Sequence, residues 1–235
     1  MNPLKIVSLS ISTVSEKLLV FFGLIFPVII FNTLWRISSF LSSDEGFIFD
    51  LGIIIFFISM TIYSIKAVIS IHRIIILEDF NNYTVMKNGS TFIKFAVYGI
   101  IISLIAMIPI TTNQVWIVFL GNNEILGFIL IIIAFFFAFF ILSAFSFGFP
   151  VIAIGEKKNF LNLWAMFKLS KGFRITLFIQ FMIVMIPYAL LIQAAAYYLI
   201  DNVLMLSLLH ILMNAYATIL LACCVSNTYR LMRDK

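Results

Sequence analysis

The sequence predicts an all-α, polytopic membrane protein, a single-domain bundle of about six transmembrane helices. Two observations lead to this prediction. Hydrophobic residues make up 63% of the 235 residues and charged residues only 11%, whereas soluble domains are roughly half apolar and about a quarter charged. The apolar residues also form runs of about 20, the length that crosses a ~30 Å hydrocarbon core. A soluble fold could not cover so much apolar surface, so we expect a bilayer to do so.

Six apolar runs define the spans. They cover residues 18–35, 47–71, 92–110, 125–154, 175–200 and 203–225. The first, third and fifth each contain a proline near the same predicted end, Pro27, Pro109 and Pro187, at intervals of 82 and 78 residues. This spacing fits three consecutive helical hairpins of similar plan. The hairpins share few side chains, however, and coincidence explains the spacing equally well.

Positive charge lies almost entirely in alternate connections between the spans. The predicted topology places 14 of the 15 Lys and Arg residues on one side, and only Arg36 on the other. Cytoplasmic loops of membrane proteins are enriched in Lys and Arg. We therefore predict that both termini are cytoplasmic and that the chain resides in a bacterial cytoplasmic (inner) membrane. The net charge of +5 then reflects topology, and no nucleic-acid partner is expected.

Two segments on the basic side are predicted to lie along the membrane surface. Leu4, Val7, Ile11 and Val14 recur at helical spacing, which is typical of an amphipathic interfacial helix. Residues 157–174 combine five cations with aromatic side chains and predict a second such segment, whose cations either attract anionic lipids or only fix topology. The candidate contacts with lipid headgroups or the interface are His72, Arg73, Lys157, Lys158, Trp164, Lys168, Lys171, Arg174, Tyr229 and Arg230.

A few polar side chains interrupt the apolar spans. The candidate intramembrane polar residues are Asn32, Gln180, Gln193, His210 and Asn214. Hydrogen bonds between helices are their commonest role, and a functional site is the alternative, for His210 in particular. No carboxylate falls near the centre of a predicted span. This argues against a carrier that couples transport to protons or sodium through an acidic residue at the midplane.

The sequence offers little for catalysis, and we predict no catalytic, cofactor or metal site. His72 and His210 fall on opposite sides of the predicted membrane. Cys223 and Cys224 are adjacent within an apolar run and have no metal-ligand spacing. Hydrolysis or phosphoryl transfer would need a positioned base, nucleophile or metal, so the chain is expected not to be an enzyme.

Four segments carry a family resemblance. They are residues 71–78 (IHRIIILE), 149–154 (FPVIAI), 163–172 (LWAMFKLSKG) and 228–233 (TYRLMR). They resemble the bacterial membrane domain that is fused to some glycerophosphodiester phosphodiesterases, and its uncharacterised stand-alone relatives. The resemblance implies the fold of that membrane domain. No segment of this sequence corresponds to the soluble phosphodiesterase domain, with its metal-binding acids and histidine, so no catalytic role is carried over.

Three functions remain open on this evidence. The chain could organise lipids or a membrane protein partner through its basic cytoplasmic face. It could instead be a transporter or permease component, which a polar cavity at the proline-kinked helices would favour. A lipid-modifying enzyme is the third alternative, and a cleft that joins His72 and Arg73 with acids such as Glu78 would favour it.

The charge asymmetry makes the topology testable. Reporter domains fused at Asp44, Asn113 and Asp201 should report the outside of the membrane. Fusions at Lys87, Lys158 and Lys235 should report the cytoplasm. Labelling in the reverse sense, or on both sides, would contradict the predicted orientation.

Overall fold

The computed structural model describes residues 2–41, 47–78, 89–119, 124–156, 161–199 and 202–234. Side chains are described at these positions except 36–41, 47–53, 113–119 and 124. All regular structure in this part of the chain is helical. The helices are α1 (Pro3–Glu16), α2 (Leu18–Leu41), α3 (Phe47–Leu77), α4 (Gly89–Phe119), α5 (Glu124–Phe145), α6 (Gly148–Ala153), α7 (Leu163–Leu169), α8 (Arg174–Tyr198) and α9 (Val203–Arg233).

Six stretches of these helices are long and apolar enough to cross a bilayer. They are Leu18–Trp35, Ile54–Leu77, Gly89–Thr112, Ile125–Ala153, Arg174–Tyr198 and Val203–Arg233. The predicted all-α, multi-pass membrane bundle is therefore confirmed. The last helix, α9, has 31 residues, and at 1.5 Å per residue it is about 46 Å long. It is long enough to extend beyond the hydrocarbon core.

Consecutive spans pair with one another in the bundle. The most extensive helix contacts are those of α4 with α5, α2 with α3 and α8 with α9, the pairing that three hairpins require. The internal sequence repeat itself stays a prediction. In addition to its pairing with α8, α9 packs against α1, α2 and α3. It therefore joins the first hairpin, α2–α3, to α1 and to its own partner α8.

Burial is uneven along the bundle. The two ends of the bundle differ because α1, the last turns of α3, the α6–α7 region and the last turns of α9 pack together at one of them. We call this the basic end, since Lys5, Lys168, Lys171 and Arg230 lie there. Every side chain in residues 222–229 of α9 is buried, whereas none in residues 203–210 is. The packed core thus belongs mainly to the basic end.

The fourth span is not the single helix predicted for residues 125–154. The helix α5 ends at Phe145, and α6 begins at Gly148. Pro150 has no N–H group and cannot donate to the carbonyl four residues earlier. The Tyr98 hydroxyl from α4 donates to the Phe145 carbonyl at 2.6 Å. A neighbouring helix thereby satisfies one of the carbonyls that the break frees, as a membrane requires.

The first helix departs in part from the sequence prediction. Residues 3–16 do form a helix, but α1 packs against α8 and α9 instead of lying wholly on the bilayer surface. Val7 and Val14 are buried, while Leu4 and Ile11 are exposed. The predicted apolar stripe is therefore split, because one part joins the protein core and the other faces outward.

The close approach of α4 and α6 gives a stability prediction. A Cβ atom at Gly148 would overlap the Tyr98 ring, so Gly148→Ala should displace that ring and lower stability by about 1–3 kcal/mol. The midpoint of thermal unfolding in a fixed detergent measures this loss. Gly23→Ala is the matched control, because nothing lies within 4 Å of its added Cβ. Equal midpoints for the two variants would contradict the packing described.

Candidate functional site

Five consecutive residues near the end of α9 reach four different parts of the bundle: the end of α3, α1, α8 and Glu156 after α6. They are Ser226, Asn227, Thr228, Tyr229 and Arg230, and with their partners they form what we call the α9 junction. Successive side chains of an α-helix are about 100° apart. The first four therefore surround the helix and face different neighbours, while Arg230 returns to the face of Ser226 and also contacts the end of α3.

Ser226 joins α9 to α3. Its hydroxyl donates to the Ala222 carbonyl at 2.8 Å and lies 2.7 Å from Nδ1 of His72. The two side chains are hydrogen-bonded, and the tautomer of the His72 ring sets which of them donates. His72 is buried. Its predicted contact with lipid headgroups is therefore wrong, because the ring faces the inside of the bundle.

Asn227 and Thr228 join α9 to two further helices. The Asn227 amide donates to Ser10 Oγ of α1 at 3.0 Å, and both side chains are buried. Thr228 Oγ1 lies 3.2 Å from Oε1 of Gln180 on α8. Gln180 therefore has the interhelical role expected of an intramembrane amide. Its Nε2 atom is buried and has no hydrogen-bond partner within the described residues.

Tyr229 and Arg230 complete the junction with acidic partners. The Tyr229 hydroxyl donates to Glu156 Oε1 at 2.7 Å, and the side chain is only 1% exposed. A headgroup contact at Tyr229 is therefore excluded by burial. Arg230 forms an ion pair with Glu78 at 2.7 Å. Both of these side chains are half-exposed, and such pairs contribute about 0–1 kcal/mol.

The short helix α7 carries an exposed surface of mixed character. Leu161 and Trp164 are 56% and 63% exposed, and Lys168 and Lys171 are exposed beside them. We call these four residues the α7 surface. The Lys168 ammonium lies 5.3 Å from the centre of the Trp164 ring, a cation–π distance. The Trp164 ring in turn stacks on Phe167, with ring centres 5.6 Å apart.

Two arginines of the predicted set are placed differently from these lysines. Arg174 is half-buried, lies 3.4 Å from the centre of the Phe167 ring, and donates to the Phe167 carbonyl and to Ser170 Oγ. Arg174 thereby caps the C-terminal end of α7. Arg73 is half-buried, and its Nε atom has no hydrogen-bond partner in the described chain. Lys157 and Lys158 lie outside the described residues.

Polar side chains also meet near mid-height of the bundle. Asn32 of α2, Ser64 of α3, and Asn214 and Thr218 of α9 line a cavity of about 180 Å³, which we call the central cavity. Two of the five predicted intramembrane polar residues, Asn32 and Asn214, are thus brought to one place. A second cavity of about 160 Å³ shares the side chain of Asn32 with the first.

The remaining two intramembrane candidates are not part of this cavity. Gln193 and His210 are both exposed, and neither lines the central cavity. The His210 ring lies 6.2 Å from the ring of Tyr188, measured between centres. The described contacts therefore leave these two predictions untested.

The cleft that would favour an enzyme is not formed by the expected residues. His72 is hydrogen-bonded to Ser226, whereas Glu78 pairs with Arg230. Within the described ranges, no three His, Cys, Asp or Glu side chains are placed to hold a metal ion together.

Sequence reasoning missed most of the junction. In the sequence, the three polar residues Ser226-Asn227-Thr228 follow directly after an apolar span. This pattern is the one feature that could have indicated a polar contact there. Ser10, the partner of Asn227, and Glu156, the partner of Tyr229, carry no comparable signal, because they are 217 and 73 residues from the groups they bind.

Comparisons with known proteins give no match to a protein-family model, a curated protein or a solved structure.

The contact between Asn227 and Ser10 predicts a measurable coupling of α1 to α9. Asn227→Ala should leave the Ser10 hydroxyl without its buried partner, and Ser10→Ala should do the reverse. Each should therefore speed hydrogen exchange of α1 amides. In a double-mutant cycle on the midpoint of unfolding, the coupling should be about 0.6–1.7 kcal/mol.

Ser12→Ala on the same helix is the control. Ser12 is exposed and donates only to Glu16 of its own helix, so its removal should leave α1 docked. Strictly additive effects of Asn227→Ala and Ser10→Ala would contradict the contact.

Proposed function

We propose that this chain is a non-enzymatic membrane protein that organises anionic lipids through the α7 surface at its basic end. We place that end on the cytoplasmic side of a bacterial inner membrane. The observation that carries the proposal is the exposed Trp164 ring with the Lys168 ammonium 5.3 Å from its centre. Lys171, three residues after Lys168, is also exposed.

The composition of the α7 surface fits the boundary between headgroups and acyl chains. Tryptophan is enriched at this depth because its ring is apolar and its N–H is polar. Leu161 and Ile175, which are 56% and 70% exposed, would be costly to leave in water. Lysines at this depth reach the phosphates, and each cation near an anionic surface contributes about 1 kcal/mol.

The contacts of the neighbouring cations support lipid binding by the lysines and not by the arginines. Arg230 is paired with Glu78, and Arg174 bonds to the end of α7. In the described part of the chain, no carboxylate lies within ion-pair distance of Lys168 or Lys171. These two ammonium groups therefore have their full hydrogen-bonding capacity left for phosphate oxygens.

The same proposal includes the orientation of the chain in the membrane and its relationship to a known membrane domain. The positive-inside rule favours a cytoplasmic basic end. The resemblance to the membrane domain of some glycerophosphodiester phosphodiesterases includes the 163–172 segment that contains α7. It is consistent with a role at the lipid surface.

A permease component is the second candidate function. The central cavity favours it, because polar side chains from α2, α3 and α9 meet there near mid-height of the bundle. This candidate does not compete with lipid binding by α7, since the two features involve different residues.

Neutralising one lysine should test the proposal. In Lys168→Gln, affinity of the full chain for phosphatidylglycerol should fall about fivefold, the equivalent of ~1 kcal/mol per cation. Bound lipid per protein, measured by mass spectrometry of the detergent-solubilised chain, gives this affinity. Binding to the unaltered chain should weaken with added salt, because exposed charges are screened. Phosphatidylcholine binding should change little.

Lys66→Gln provides a matched control. The Lys66 ammonium also lies 5.3 Å from an aromatic ring centre, that of Tyr63, but it belongs to α3 and not to the α7 surface. It should leave phosphatidylglycerol affinity unchanged. If both variants lose affinity equally, net charge alone is responsible and the α7 surface is not the site.

A further inference from the structure

The central cavity lies deep within the bilayer-spanning part of the bundle. Asn214 is 11 residues from the start of α9, about 17 Å along the helix axis. Asn32 and Ser64 face the same space from the middle portions of α2 and α3. Since half of a hydrocarbon core is about 15 Å, Asn214 and Ser64 lie about half-way across it, whereas Asn32 lies one turn from the end of its span at Trp35.

The polar groups of this cavity lack partners of their own. The side chains of Asn32, Ser64 and Asn214 make no hydrogen bond within the described part of the chain. Thr218 differs, since its hydroxyl donates to the Asn214 carbonyl. Lipid tails offer no hydrogen bonds, and a polar group left without one in that medium is costly. Two amides and a hydroxyl that face one cavity therefore need an occupant that can bond to them.

The surroundings define the chemistry of that occupant. The residues lining the central cavity carry no charge, so an ionic ligand would lose its hydration without gaining a counter-ion. The adjoining cavity is lined mainly by aromatic side chains, Phe31, Trp35, Phe56 and Phe57, and Asn32 belongs to both. Asn32 is half-buried and Asn214 exposed, so the space opens to the bundle surface that faces lipid.

We propose that the two cavities form a binding site for an uncharged amphiphile. Its hydroxyl- or amide-bearing end hydrogen-bonds to Asn32, Ser64 and Asn214. Its apolar part lies among the aromatic side chains around Trp35. The central volume of about 180 Å³ suits a small polar end.

Trp35 supplies an optical probe for this site. The full chain in bilayer nanodiscs would carry Trp116→Phe and Trp164→Phe, so that Trp35 is the only tryptophan and can be excited selectively. A monoacylglycerol with a brominated acyl chain is the probe, because it is neutral and bears two hydroxyl groups. We expect saturable quenching of Trp35 that excess unbrominated monoacylglycerol reverses. The same brominated chain as a methyl ester, without hydroxyl groups, or as a lysophosphatidic acid, with a charge, should quench without saturation.

Nearly isosteric variants test the residues that hold the polar end. Asn32→Leu and Asn214→Leu should each weaken monoacylglycerol binding about tenfold, since a hydrogen-bonding group is lost at similar volume. Gln193→Leu is the control, because that intramembrane amide lies outside the cavity and its loss should leave binding unchanged. Should either leucine variant fail to fold, Ser64→Ala and the comparison of the three probes on the Trp35-only chain remain decisive.

Three results would overturn the proposal. Quenching that never saturates, or that is equal for all three probes, would mean that the cavity holds only water. An unchanged affinity in Asn32→Leu and Asn214→Leu would place the amphiphile elsewhere. A dimer that dissociates in Asn214→Leu, detected by the mass of the particle, would show that the amides meet a second copy of the chain.

Discussion

Hydrogen bonds made by residues 226–230 of α9 hold the basic end of this bundle together. Within a membrane, apolar surface is as well accommodated by lipid tails as by another helix, so apolar contact alone selects no particular neighbour. A buried serine, asparagine or threonine is different, because it needs a partner of complementary chemistry at a defined distance. Asn227 specifies α1, and Ser226 specifies the turn of α3 that carries His72. The helix order around α9 follows from these pairs.

This constraint explains why the bundle is closed at one end and looser toward the other. The junction and the buried core around it occupy the last turns of α9, and the first turns of that helix contain no buried side chain. The central cavity lies between these regions. Among the residues that the structure describes, Asn32 and Asn214 have no hydrogen-bonding side-chain partner there. A ligand-sized space at this height is compatible with a stable fold because the junction already fixes the helices.

The cations at the basic end divide into two kinds by what they contact. Arg230 and Arg174 use guanidinium donors on Glu78 and on the end of α7, respectively, which suits the planar, multi-donor geometry of arginine. Lys168 and Lys171 project outward beside Trp164. In the sequence alone, these arginines and lysines are equivalent positive charges. The structure distinguishes those that stabilise the protein from those that remain exposed to the membrane surface.

The sequence by itself determined the fold class and the six spans, since apolar runs of sufficient length have few alternatives in water or in lipid. It also indicated the intramembrane amides, because each is a local departure from an apolar pattern. Only the tertiary structure decided that His72 and Tyr229 are internal, that Tyr98 bonds to a carbonyl left free where the fourth span breaks, and that Asn32 and Asn214 share one cavity. Hydropathy depends on each residue and its near neighbours. A hydrogen bond across 154 or 217 residues of sequence depends on which helix faces align, and that is settled only when the helices pack.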